Sequence, residues 1–369
     1  MAAPPPGPRR VVPVLFGANC LFGAGAVVGS IGLPSMNPFL FALIRESSAT
    51  LLLGAALLAS EGVRPPPKAA AAPAPGRRWR VSSVHLYWKL GVCVFLDQGC
   101  SILGIKLSDA VTQSIWQTTQ PILTAVLARV LYGESLGPRR ILGVVAAFGG
   151  CAAMVSLGVR GAGGRGGPAR YAAANACFFA NCGASAFYVI LCKGAPGHHS
   201  TLRMTLSTYA RATSLVAAAT GAVTLSPAVL RAVCADCGAP WRVPTKASFA
   251  IAYWVLGQSV AGYSMVTWAA RNASSALVAA FAVVQPVVAA ALTAVILAAR
   301  AYPNCDDADR DDDACLEPTG WPALGAVLVF AGLYLVVSSE APDPPAPAAD
   351  RARDRPSLRV EIDARGAPV

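Results

Sequence analysis

The chain has 369 residues, 55% of them hydrophobic and only 13% charged, with a formal net charge of +11 and a mean hydropathy of +0.52. A soluble domain carries roughly 25% charged residues, so this composition excludes one, and long uninterrupted apolar runs exclude an outer-membrane barrel, whose strands alternate over about ten residues. The basic residues are scattered through loops with no aromatic platform beside them, so no nucleic-acid partner is expected.

A hydrocarbon core of about 30 Å needs about 20 apolar residues per helix. Such windows fall, in chain order, at 11–33, 38–60, 84–105, 109–132, 141–159, 171–192, 203–225, 247–270, 275–298 and 320–340. The first starts early but is long and lacks a small-residue cleavage site, so it reads as a retained helix and not as a signal peptide. With both termini in the cytoplasm, most Lys and Arg residues, among them Arg9, Arg10, Arg77, Arg78, Arg139 and Arg140, fall on the cytoplasmic side, as the positive-inside rule favours. Arg160, Arg165 and Arg170 lie on the other side. Residues 61–83 and the tail 341–369 are rich in proline and charge and are expected to be disordered.

The ten windows divide into two sets of five. "TTQPILTAVLARVLY" at 118–132 aligns with "VVQPVVAAALTAVIL" at 283–297, which sets Pro121 on Pro286 at an offset of 165 residues. "RESSATLLLGAALL", from Arg45, aligns with "RATSLVAAATGAV", from Arg211, at an offset of 166. A weaker echo, "ANC", recurs at 18–20 and 180–182. Each half has an odd number of spans, so the second enters the membrane from the opposite side. The expected fold is therefore an all-α polytopic membrane protein of ten transmembrane helices, built as two inverted five-helix repeats at 11–159 and 171–340. They are flanked by a cytoplasmic N-terminus at 1–10 and a cytoplasmic tail at 341–369. Inverted repeats are common in secondary transporters, which bind solute near the midplane between them.

Polar residues inside the spans carry the functional reading. Gln113, Gln117, Gln120 and Thr124 are spaced four, three and four residues apart, one face of a helix. Facing lipid, their unpaired groups would cost a few kcal/mol each, so the stripe faces protein or water, either as interhelical glue or as the lining of a solute pathway. Pro121 and Pro286 lie midspan, and each frees a backbone carbonyl and kinks its helix. Trp116 sits beside the stripe and can stack on a planar solute or simply pack. Gln285, Asn181, Ser185, Tyr188, Gln258 and Tyr263 are further lining candidates.

Intramembrane charge is sparse. Arg45 and Arg211 recur at equivalent positions and are expected to be structural. Asp97, central in its span beside Gln98, is the candidate proton-coupling carboxyl, because desolvation favours the neutral form of an acid. Cys234, Cys237, Cys305 and Cys315 fall in loops on the exoplasmic side, where disulfides can persist. The acidic loop 306–313 lacks the glycine and the final ligand of a calcium loop, so no metal is expected, and no cofactor. His85 begins a helix and His198 and His199 lie in a loop, so no nucleophile with its base is visible and no enzyme is expected.

"MNPFLFALIRESSATLLLGAALLASEG", "QPILTAVLARVLYGESLGPRRILGVVAAFGG" and "GWPALGAVLVFAGLYLVVSS" resemble the EamA domains of the drug/metabolite transporter superfamily, and are nearest in look to the plant walls-are-thin-related exporters. That resemblance implies ten helices and transport of small organic solutes such as amino acids, nucleobases, hormones or secondary metabolites. The chain departs from the pattern where Gly133-Glu134 of the first half becomes Ala298-Ala299 in the second. The expected function is secondary transport of a small organic metabolite by alternating access. The expected partners are that solute, a coupling proton and the bilayer, with a homodimer left open. The membrane, whether plasma membrane, vacuole or plastid, is left open too. A phosphosugar or nucleotide-sugar antiporter, a channel and a noncatalytic scaffold are the competing readings.

Overall fold

In the computed structural model the described residues are 8–33, 36–61, 83–108, 110–132, 137–139, 141–143, 145–146, 149–150, 153, 167–192, 200–234, 239, 241–273, 275–303, 327–328, 330–332 and 334–335. The expected spans at 141–159 and 320–340 lie largely outside them. So do the tail, the segment 62–82, and Cys237, Cys305 and Cys315. Cys234 is disulfide-bonded.

The described elements are all helical. They are α1 (Pro8–Gly32), α2 (Pro38–Glu61), α3 (Ser83–Leu107), α4 (Ala110–Gln117), α5 (Gln120–Tyr132), α6 (Gly167–Cys192), α7 (Thr201–Thr224), α8 (Pro227–Val233) and α9 (Thr245–Tyr253). After α9 comes a π-helical stretch (Trp254–Gly262), then α10 (Tyr263–Asn272), α11 (Ser275–Ala280), a 3₁₀ turn (Phe281–Val283) and α12 (Val284–Ala298). Helix starts follow local chemistry. Pro38 opens α2 without needing an N–H partner, and the Asn37 Oδ1 accepts from the Phe39 N–H at 3.0 Å. Ser200 caps α7 by accepting from the Arg203 N–H at 3.2 Å.

Among the described residues six helical segments are long and apolar enough to cross a membrane: Arg10–Gly32, Pro38–Ser60, His85–Leu107, Pro168–Cys192, Thr245–Asn272 and Leu277–Ala298. They coincide with six of the expected windows. Helix α7 has the length, but Arg203, Arg211 and several Ser and Thr residues make it less apolar. The window 109–132 is not one helix, as its spacing had suggested. It breaks at Thr118 and Thr119, whose N–H groups bond three residues back, to the Ile115 and Trp116 carbonyls. Pro121 has no N–H to offer the Gln117 carbonyl, and the two threonine hydroxyls take the Ile115 and Trp116 carbonyls in addition. The aligned segment repeats the device: α11 gives way to the 3₁₀ turn just before Pro286.

The packing has a regular pattern. Helix α3 lies along α6, and the segment that the 166-residue offset sets against α3, namely α9 through α10, lies along α1. Helix α1 packs on α12 as α6 packs on α5, and α2 packs on α7. In lipid, close helix approach depends on small residues. A Cβ on Gly25 of α1 would occupy the place of the Gln258 amide, and one on Gly29 would stand 2.8 Å from the Trp254 ring. Among the described residues two large apolar clusters and a small one around Ala26, Val27 and Ala289 form the core. One large cluster gathers Leu33, Met36, Phe41, Ile105, Trp116, Phe178 and Trp254. The other gathers Leu15, Leu90, Tyr188, Met204, Tyr209, Tyr263 and Val278. Leu51, Val130, Phe249 and Val295 point outward, 64–75% exposed, as suits side chains facing hydrocarbon.

Candidate functional site: a polar cavity between the halves

Both large apolar clusters contribute to the wall of one cavity of about 60 Å³. That is room for a few water molecules. From the first half come Asn19, Phe22, Asp97, Gln98, Ser101, Gln113, Gln117 and Gln120; from the second come Asn181, Ser185, Tyr188, Trp254, Gln258, Tyr263 and Gln285, with four aliphatic side chains between them.

Asp97 is the hub. Its carboxylate accepts from the Asn181 amide at 2.6 Å, from the Gln98 amide at 2.6 Å and from the Tyr263 hydroxyl, and the Asn181 amide also donates to the Asp97 carbonyl at 2.7 Å. Asn181 in turn accepts from the Gln117 amide. Gln120 donates to Ser185 at 2.8 Å, Gln285 to Asn19 at 2.8 Å, and Gln258 to the Phe22 carbonyl at 3.3 Å. All four of these glutamine hydrogen bonds cross between the halves, and so do the Asn181 and Tyr263 bonds to Asp97.

Gln258 and Tyr263 are five residues apart, a separation that an ordinary α-helix would turn to different faces. The π-helical stretch stacks residues five apart, and the Tyr263 N–H bonds to the Gln258 carbonyl. Both side chains thereby reach the same cavity.

Behind Asp97 lies a second layer. Arg45, fully buried, donates to Ser259 at 2.8 Å and to the Gln98 side-chain oxygen, and its guanidinium lies 4.8 Å from the centre of the Trp254 ring. Its Nη1 is 3.6 Å from the buried Glu46 carboxylate. A desolvated cation over a tryptophan face is worth about 2 kcal/mol, which offsets part of the cost of burying the charge. Arg211, half-buried, stands 5.6 Å and 5.8 Å from the Tyr87 and Trp88 rings and donates to the Ser207 carbonyl at 2.6 Å. Arg45 and Arg211 are 166 residues apart, and so are Trp88 and Trp254. Each arginine therefore stacks on the other half's equivalent tryptophan.

Of the residues singled out from sequence, Gln113, Gln117, Gln120, Asn181, Ser185, Tyr188, Gln258, Tyr263, Gln285 and Asp97 line the cavity. Trp116 does not. Its indole N–H donates to Asn175 at 2.7 Å and its ring meets Phe179 edge-on. Thr124 bonds the Gln120 carbonyl of its own helix. Pro121 and Pro286 are buried or near the two breaks and supply no polar atom to the wall. Asn19, Phe22, Gln98, Ser101 and Trp254 were missed as lining residues; the "ANC" echo that pairs Asn19 with Asn181 is the one signal that could have found Asn19. Among the described residues no three His, Cys, Asp or Glu side chains come together as a metal site would need.

Comparison with known proteins agrees with this architecture. Residues 10–156 match EamA, the EamA-like transporter family. The chain is an integral, multi-pass membrane protein. A crystal structure of another protein is similar over 89% of this chain and 98% of its own, with a TM-score of 0.55 and 17% sequence identity. That likeness shows a common fold. No curated protein matches the sequence significantly.

Proposed function

We propose that the protein is a secondary transporter that moves a small organic metabolite by alternating access, with the polar cavity as its solute site. The observation that carries this reading is the position of the cavity: an amide-lined chamber walled by both halves, to which both large apolar clusters contribute side chains. A chamber with room for a few waters admits a metabolite only when one of those clusters parts. Ten spans in two inverted repeats account for the packing in which α3 lies on α6 as its aligned segment lies on α1. The exchanged Arg45–Trp254 and Arg211–Trp88 pairs fit the same relation, one tightly buried and its counterpart half-open. Rocking of the halves would interchange these two environments. Asp97, reached by donors from α6 and α10, is placed to take up or release a coupling proton as those contacts change.

The test is exchange in proteoliposomes of a pooled set of amino acids, nucleobases and amines, with and without a pH gradient. Saturable flux with counterflow is expected, lowered about tenfold or more in Gln117→Leu, and in Asp97→Asn no longer responsive to the gradient. Flux that does not saturate would indicate a channel, and undiminished flux in Gln117→Leu would remove the cavity from the pathway.

A further inference from the structure

The direction of the hydrogen bonds around the cavity says what it can recognise. Resting on the reading of this cavity as the solute site, we infer that it binds its solute through a donor-rich cationic nitrogen, a protonated primary amine, and not through an anionic group.

Amide orientation here follows from the partners. The Asn181 nitrogen faces the Asp97 backbone carbonyl, which only accepts, so its oxygen must face Gln117, and the Gln117 nitrogen must donate to it. The Asn19 nitrogen likewise donates to the Leu15 carbonyl at 2.8 Å, which turns its oxygen to Gln285 and makes Gln285 the donor. Gln258 donates to the Phe22 carbonyl. Each of these three glutamines thus gives one of its two amide N–H groups to protein and keeps its side-chain oxygen without a partner among the described residues. Gln113 and Gln120 bond the hydroxyls of Ser101 and Ser185, and the Gln113 oxygen is buried and unbonded.

The wall therefore offers carbonyl acceptors, a second N–H on each bonded glutamine amide and one carboxyl group, and no Lys or Arg is among its residues. The one charge-bearing group of the wall is the Asp97 carboxyl, which a cation complements, and the buried Gln113 oxygen, which left unmet costs about 1–3 kcal/mol, takes a donor from the solute. An ammonium group brings three N–H donors and no acceptor. A quaternary ammonium brings the charge without the donors, and a carboxylate or phosphate brings negative charge to a wall that holds a carboxyl group and no cation.

The experiment is calorimetry on the purified full chain in detergent with three probes of one skeleton: phenethylamine, its N-trimethylated derivative and hydrocinnamate. Saturable binding of phenethylamine is expected, with the trimethylated derivative weaker by about tenfold or more and hydrocinnamate not bound. Gln285→Leu, and independently Gln258→Met, should each weaken the amine by a similar factor while eluting as folded protein. Equal binding of the trimethylated derivative, or no saturable binding of the amine, overturns the inference. Hydrocinnamate binding that is lost in Gln285→Leu overturns the amine class but leaves the cavity as the solute site. Amine binding indifferent to both substitutions overturns the site itself.

Discussion

Arg45 illustrates how much a single intramembrane charge depends on its neighbours. It is 0% exposed, shares its guanidinium among Ser259, Gln98, Trp254 and Glu46, and lies next to a carboxylate that accepts no hydrogen bond among the described residues. Removing one partner of a buried pair strands the other, at about 3–5 kcal/mol, whereas replacing both with apolar groups is often neutral. Arg45→Ala should therefore lower the unfolding temperature in detergent sharply, and Arg45→Met with Glu46→Leu should recover most of the loss. An equally unstable double variant would mean that Ser259 and Gln98, not Glu46, are what Arg45 chiefly serves. The recurrence of arginine at 45 and 211 was legible as a pattern. Its chemistry was not, because Trp254 and Ser259 lie more than two hundred positions away and nothing near Arg45 in the chain announces them.

At the level of elements, the departures from a straight α-helix put polar groups in the cavity. The break at Thr118 and Thr119 separates Gln113 and Gln117 from Gln120, and the π-helical stretch aligns Gln258 with Tyr263. Pro121→Ala restores an N–H donor and should let 110–132 run as one helix. Thermal stability is expected to hold or rise while exchange flux falls about fivefold or more, a change of about 1 kcal/mol in the rate-limiting barrier. Flux unchanged in a stable variant would separate the break from transport. The close seat of α1 against the π-helical stretch gives a second check. Gly29→Leu adds a side chain where a Cβ alone meets the Trp254 ring at 2.8 Å, and overpacking of this kind costs about 1–3 kcal/mol, which a reduced folded yield would report. The prolines marked both breaks in the sequence. No residue marked the π-helical stretch, since a widened turn follows from what packs on it.

Across the whole molecule, α2 and α7 meet where the two halves face each other, and the hydroxyls of Thr50 and Thr213 lie 2.9 Å apart there. If the halves rock, a covalent tie at this point restrains them. Thr50→Cys with Thr213→Cys should form a disulfide under mild oxidation and lose exchange activity, and reductant should restore it, with the parent chain unaffected by either treatment. Full activity in the cross-linked protein would argue against relative motion at that contact.

Membrane class, the positions of six spans, the internal alignment and the polar faces within apolar helices were all readable without a structure. They depend on composition and periodicity, which each segment carries in itself. The choice of partners came with packing. That Asp97 gathers Asn181 and Tyr263, that Trp116 turns away to Asn175 and that the glutamine oxygens are left as acceptors all depend on groups brought together from distant parts of the chain. A hydrogen bond's direction is set by what lies opposite, and what lies opposite is decided by how the helices cross.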